Sequence, residues 1–419
     1  MKNIFFLFVL SVVFYGCSTD ADNTDSGLQD FIVTLTIDPN HHFGGFTESV
    51  QAFLSDQNGT ILDNAILEIG QTVTLRFSGD PATVFDLSIM TYADFDFMGE
   101  EFYMLKTFTD IDQGKYTLCR YLLPENSNDE IYLNLENTGY PVDVTSGTIG
   151  IGISGPENGG YYNFRGNLIG SPSSDFYISF KSVNDNFERY FWQENIVEGS
   201  VFDIDYTTLP EIHNVVNVET PSHDIYGFLI KGLIDGDTQK VQHSIREGNY
   251  PEGRTSLSIP LPSNIFDSYL FRLSFGNGNL QYFKNLHTAT IPTTIATPEL
   301  DFKVNNQSAG NFNMTTSGDA VIYNVIFRES NSSETVFVSH SIYGEVEPEI
   351  VFSKEVLRMN IQQAYPELTG FETLSLGFVS MMHYSSGNLY KDILKYRIQE
   401  KVFEVPLNGF EEAVTQQFD

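Results

Sequence analysis

One pattern constrains this chain more than any other: apolar residues alternate with polar ones at period two, from one end to the other. Phe31, Val33, Leu35 and Ile37 alternate with Ile32, Thr34 and Thr36, and Phe85, Leu87 and Ile89 enclose Asp86 and Ser88. The pattern returns at Val73, Leu75 and Phe77, at Ile131, Leu133 and Leu135, at Ile149, Ile151 and Ile153, and at Phe176, Ile178 and Phe180. It continues through Phe202, Ile204 and Tyr206, then Phe271, Leu273 and Phe275, then Tyr323, Val325 and Phe327, then Leu374, Leu376 and Phe378. Successive side chains of a strand point to opposite faces, so each run predicts a strand with one face on a core. Turn residues separate the runs: Asn58-Gly59, Ser78-Gly79-Asp80-Pro81, Asp235-Gly236-Asp237 and Gly276-Asn277-Gly278-Asn279. Strands at short spacing joined by turns predict an all-β chain of antiparallel sandwiches, not a parallel α/β sheet. The one helix expected is 354–368, where Leu357, Ile361, Ala364 and Leu368 keep helical spacing and Pro366 limits its length.

The chain has 419 residues, enough for about three domains at roughly 150 residues each. Residues 137–147 and the Pro- and Thr-rich 291–300 read as boundaries. They divide the body into 28–140, 141–297 and 298–419, and Glu219-Thr220-Pro221-Ser222-His223 offers a further division of the middle piece. An internal echo links the later pieces. Tyr226 to Ile230, His243-Ser244-Ile245 and the stretch from Tyr269 have counterparts in Tyr323 to Phe327, His340-Ser341-Ile342 and the stretch from Thr373. These tandem pieces resemble Ig-like or fibronectin-III-like sandwiches, which implies two packed antiparallel sheets in each.

The N-terminus sets the expected address. Lys2 precedes an apolar run over residues 4–15. That run is shorter than the roughly 20 residues a membrane-spanning helix needs, so it reads as the core of a secretory signal. Phe14-Tyr15-Gly16-Cys17 resembles the bacterial lipobox, though Phe and Tyr stand where Leu and a small residue are commoner. The resemblance implies cleavage after residue 16, a diacylated Cys17 as mature N-terminus, and an outer-membrane lipoprotein anchored through that lipid. Residues 17–27 then form an acidic tether, similar to the export signal behind the Cys of surface-exposed lipoproteins. Acids outnumber bases 55 to 22, for a formal net charge of -33, which excludes nucleic acid as a partner because phosphate backbones demand clustered Lys and Arg. With Cys17 taken by lipid, Cys119 is the other of two cysteines and has no intrachain partner; it is expected as a small buried residue.

Sequence motifs for chemistry are sparse. No G-x-S-x-G elbow, phosphate-binding loop or H-E-x-x-H is present. His41-His42 reads as a pair of solvated loop residues, and the other His as isolated structural or surface groups. Asp94 and Asp96 share a face of a hairpin whose plain role is to be wet; as clustered carboxylates they are also the candidates for a structural Ca2+. The one tryptophan lies in Glu188-Arg189-Tyr190-Phe191-Trp192-Gln193-Glu194, where aromatics, an acid, an amide and Arg combine as on sugar-binding faces. Tyr190, Trp192 and Glu194 are therefore the candidate ligand platform, with Tyr132 and Tyr177 as outward-facing aromatics to extend it; the simpler role of Trp192 is to fill or cap a core. The expectation is a lipid-anchored surface module that binds a glycan or protein, or serves a structural role, with no enzymatic activity. The alternative is a glycoside hydrolase whose carboxylates, such as Asp203 or Asp205, come together from separate loops.

Overall fold

The computed structural model describes residues 29–418 apart from 42–46, 81, 96–99, 120–129, 139–141, 148–150, 153–161, 168–172, 198, 237–242, 251–252, 330–335, 367, 386–388 and 401–404. The chain is all-β, and its strands form four consecutive groups. The first holds β1 (Gln29–Ile37), β2 (Thr47–Asp56), β3 (Ile61–Leu67), β4 (Thr72–Gly79), β5 (Phe85–Phe95), β6 (Glu100–Phe108) and β7 (Gly114–Leu118). The second holds β8 (Glu130–Glu136), β9 (Val142–Gly147), β10 (Ile151–Gly152), β11 (Tyr162–Asn167), β12 (Ser173–Ser182), β13 (Glu188–Val197), β14 (Val201–Asp205) and β15 (Glu211–Ile212). The third holds β16 (Asn214–Glu219), β17 (Asp224–Leu233), β18 (His243–Asn249), β19 (Ser256–Leu261), β20 (Ser268–Asn277) and β21 (Leu280–Thr288). The fourth holds β22 (Asp301–Asn306), β23 (Phe312–Ser317), β24 (Ile322–Glu329), β25 (Val336–Glu345), β26 (Glu349–Phe352), α1 (Glu355–Ala364), β27 (Leu374–Tyr384), α2 (Tyr390–Ile398) and β28 (Gly409–Gln417).

The same pairing scheme recurs in each group. One strand pairs antiparallel with the strand three later: β1 with β4, β8 with β11, β16 with β19, β23 with β26. Its successor does the same in a second sheet: β2 with β5, β9 with β12, β17 with β20, β24 with β27. The later member of that pair then takes the next strand beside it: β5 with β6, β12 with β13, β20 with β21, β27 with β28. β1 and β8 each add a parallel neighbour, β7 and β14. Two sheets faced through alternating side chains make a sandwich, and this repeated topology is consistent with Ig-like units. The echo between Tyr226 and Tyr323 marks equivalent strands: β18-β17-β20 and β25-β24-β27 run in the same order.

These pairings place the divisions differently from the turn-rich stretches. Ile131, Leu133 and Leu135, expected to close the first piece, lie in β8, which pairs with β11 and β14 of the second group. The middle piece divides at His213, between β15 and β16, ahead of the 219–223 stretch. Residues 291–300 do not hang free either: Ile291 and Ile295 are buried on the core of the third group, and Thr294 bridges to Glu219.

The larger sheets of the first, third and fourth groups fuse edge to edge. Twelve strands run β18-β17-β20-β21-β28-β27-β24-β25-β6-β5-β2-β3. β21 and β28 join antiparallel, from Leu280 opposite Gln416 to His287 opposite Gly409. β25 and β6 join parallel, from Val336 opposite Glu101 to Tyr343 opposite Phe108. The small sheet β4-β1-β7 covers one face of this ribbon; β16-β19 and β22-β23-β26 cover the other. The second group keeps its own two sheets and core, with Ile131, Leu133, Phe176, Ile178 and Phe180 at its centre.

Two helices from the fourth group clamp the first. α1 sets Leu357 and Ile361 beside Phe53, Met90 and Leu105, while α2 sets Ile393, Leu394 and Ile398 beside Leu35, Ala52 and Leu118 on the opposite face. α1 stops at Ala364, short of the expected 368, because the residue before Pro366 is driven out of helical geometry, and Tyr365 stands at φ -129° and ψ 79°.

Candidate functional site

Where α2 ends, the face of the ribbon that β4-β1-β7 leaves uncovered forms an open groove of about 370 Å³. Register fixes its floor. Ser274 lies opposite Phe283, Phe283 opposite Ala413 and Ala413 opposite Met382; one row over, Gln281, Thr415 and Ser380 are likewise aligned. Ser380 and Thr415 share a hydroxyl hydrogen bond of 2.8 Å. Arg397, from the last turn of α2, forms one wall: its Nη2 donates to the Tyr384 hydroxyl at 2.8 Å and lies 3.4 Å from Glu411 Oε1, to which Tyr384 also donates. Burial opposes the Arg397 charge, but Tyr384 and Glu411 outweigh it and raise its pKa, so the guanidinium stays cationic. Burial pushes the Tyr384 hydroxyl up. Among the described residues, two buried amide oxygens, Asn285 Oδ1 and Asn324 Oδ1, find no hydrogen-bond partner; their residues pair in register with Glu411 and Ser380 but do not line the groove. Further along, burial and then the neighbouring Arg272 lower the pKa of Lys231. The lining thus offers hydroxyls, an amide, a cation and a carboxylate beside Tyr282 and Phe283.

The residues picked from sequence lie elsewhere. Tyr190 and Trp192 are half-buried and serve an internal contact. Trp192 meets His243 edge-on at 5.2 Å and Phe266 at 5.9 Å, joining the second group to the third. Tyr177, expected outward, is 0% exposed and meets Phe266 at 5.4 Å, because the neighbouring group covers that face of β12. Glu188 and Arg246 close the same junction with an ion pair of 2.9 Å. Glu194 is exposed at the far end of β13, as is Tyr132 on β8. Asp203 is hydrogen-bonded by Asn134 and Asp205 by Asn137, both as local strand and turn contacts. Cys17 and Asp96 lie outside the described residues, as does the side chain of Asp94. His41, expected in solvent, is buried with Nε2 3.8 Å from Glu400, because the end of α2 folds over it. Cys119 is buried as expected, its thiol 3.6 Å from the Gln399 carbonyl.

A second polar cluster lies inside, between α1 and the opposite face of the ribbon. Lys354 Nζ donates to Asp86 Oδ2 at 2.5 Å and to the Gln57 carbonyl at 3.2 Å. The Asp110 amide donates to Asp86 Oδ1 at 3.1 Å. Burial raises the Asp86 pKa, against the lowering by Lys354. Ser88, Thr107 and His340 Nε2 form a buried chain of 2.8 Å hydrogen bonds across β5, β6 and β25. Burial, then the Arg358 and Lys354 charges, hold His340 well below the usual imidazole range. Burial also lowers Arg358 to about 10; one of its amino groups bonds the Ala309 carbonyl at 2.7 Å.

None of the groove residues Gln281, Arg397 and Glu411 was singled out by sequence. The signal that was available is the spacing of Tyr390, Ile393, Leu394 and Ile398, which marks α2 and hence the position of Arg397.

No protein-family model matches the chain, and no curated protein sequence does. Among solved structures, the native conformation of E. coli alpha-2-macroglobulin aligns with 80% of this chain at 11% identity and a TM-score of 0.10, too low to carry over a fold. The chain spans 26% of that protein's length.

Proposed function

We propose that the protein is a lipid-anchored binding module of the outer-membrane surface, held by Cys17 and its acidic tether, and that the groove at the end of α2 takes a hydroxyl-rich ligand of the glycan class. The groove's composition carries this reading. Ser274, Gln281, Ser380, Thr415 and Arg397 supply donors and acceptors, and Phe283 supplies an apolar ring against which the C–H face of a sugar packs. The proposal includes no cofactor and no nucleic-acid partner, in keeping with a net charge of -33. Binding is preferred to hydrolysis because, among the described residues, Glu411 is the one carboxylate lining the groove and is engaged by Arg397 and Tyr384, whereas a glycosidase sets two carboxyl groups roughly 5–10 Å apart.

The chain from Ser18 onward is to be screened on a glycan array, with Gln281→Ala and Arg397→Ala alongside. Captured glycans are expected to be lost or weakened at least ~10-fold by either change, the size of one good polar anchor. Retention by both variants would move the ligand site away from the groove, and release of reducing ends would make the protein a hydrolase. The anchor is tested separately. Cys17→Ser should transfer the protein from the membrane to the soluble fraction, and a variant that stays with the membrane disproves lipidation at this residue.

A further inference from the structure

The contact between Lys354 and Asp86 is unusual for an ion pair. Their side chains are 4% and 1% exposed, so neither group shares its charge with water. The two residues are 268 positions apart and come from different units, β5 of the first and the entry to α1 in the fourth. An ion pair so deeply buried recovers little of the cost of removing two charges from solvent. Burial already pushes the Asp86 carboxyl towards its protonated form.

We infer that Lys354 and Asp86 are a self-crosslinking pair, joined in the mature protein by an amide bond between Nζ and Cγ. The geometry supplies what such a condensation needs. A proton passes along the 2.5 Å hydrogen bond from the ammonium to Oδ2, leaving a neutral amine beside a neutral carboxylic acid. The amine lone pair attacks Cγ, and negative charge gathers on Oδ1, where the Asp110 N–H already donates at 3.1 Å. The C–Oδ2 bond breaks and its oxygen leaves as water, carrying its own proton and a second one from nitrogen. Ammonium plus carboxylate thus become amide plus water, with no oxidant, reductant or activating group. The Gln57 carbonyl, 3.2 Å from Nζ, holds the amine in place. Fixing both partners in a dry core turns a bimolecular condensation into an effectively unimolecular one. The product removes both buried charges and is sheltered from hydrolysis.

Peptide mapping of the denatured full chain decides the matter. Trypsin cleaves after Arg76, Lys106, Arg328, Lys354 and Arg358. If the amide forms, cleavage after Lys354 is blocked. A branched species then joins residues 77–106 to residues 329–358, about 18 Da lighter than its two parts, the mass of one water. Lys354→Arg should return the linear peptides, and it does so whether or not the variant folds. Complete cleavage after Lys354 in the natural sequence, with free 77–106 recovered, overturns the inference. So does a branched species that survives Lys354→Arg.

Discussion

At Gly59 the requirement for glycine is set by two independent constraints. The residue turns the β2–β3 hairpin at φ +84°, a left-handed conformation that side chains resist, and a Cβ there would meet the Leu357 backbone nitrogen at 2.7 Å. The hairpin tip is therefore a docking point for α1 as well as a turn. Gly59→Ala should destabilise the protein by about 1–3 kcal/mol through strain and the forced retreat of α1. Chemical denaturation measures it, and an unchanged midpoint would mean that the contact yields freely. Legibility at this scale was uneven. Asn58-Gly59 announced its turn, because a positive φ restricts residue choice to very few types. Trp192 announced nothing comparable: an aromatic that faces a neighbouring unit and one that faces a ligand leave the same mark in a single strand.

Among the elements, strands with an apolar and a wet face were plain from alternation, as in β1, where Val33, Leu35 and Ile37 are buried and their neighbours are not. β24 is different. Ile322, Tyr323, Asn324 and Val325 are all buried, since the ribbon is covered on both sides there, so the period is blurred. α2 escaped notice because its nine residues include Lys391, Asp392, Lys395 and Arg397, which dilute a stripe of Tyr390, Ile393, Leu394 and Ile398. The fusion of sheets was not legible at all. Backbone hydrogen bonds join β21 to β28 and β6 to β25, and main-chain groups are the same in every residue. The groove inherits this opacity, since its floor exists only once β20, β21, β28 and β27 lie side by side.

The whole molecule is held together at junctions, and one of them titrates. His243 sits between Trp192 and Phe266, where the second unit meets the third. Burial lowers its pKa from 6.5 to about 4, against a smaller raising effect of Asp175. Between those values the unfolded chain binds a proton that the folded chain refuses. Stability is therefore full above about pH 6.5 and falls as pH drops towards 4, by about 1.4 kcal/mol per pH unit for this one group. His340, buried neutral between the first and fourth units, acts in the same direction. Melting curves at pH 7, 6 and 5 should show the decline, with Trp192 emission shifting to the red as the junction opens. His243→Gln should flatten the slope. A variant that melts in parallel with the natural chain at every pH would remove His243 from the account.

The clamp of α1 and α2 on the first unit also sets an order of events. That unit is the first to be synthesised, yet both faces of its larger sheet, and the outer edge of β6, are completed by residues 336–398. A chain delivered from its N-terminus must therefore keep its opening segment unfinished until its closing segment arrives. Contacts so distant in sequence make folding slow, and the exposed edge is a template for wrong pairing while it lasts. The first unit of the protein is born first and finished last.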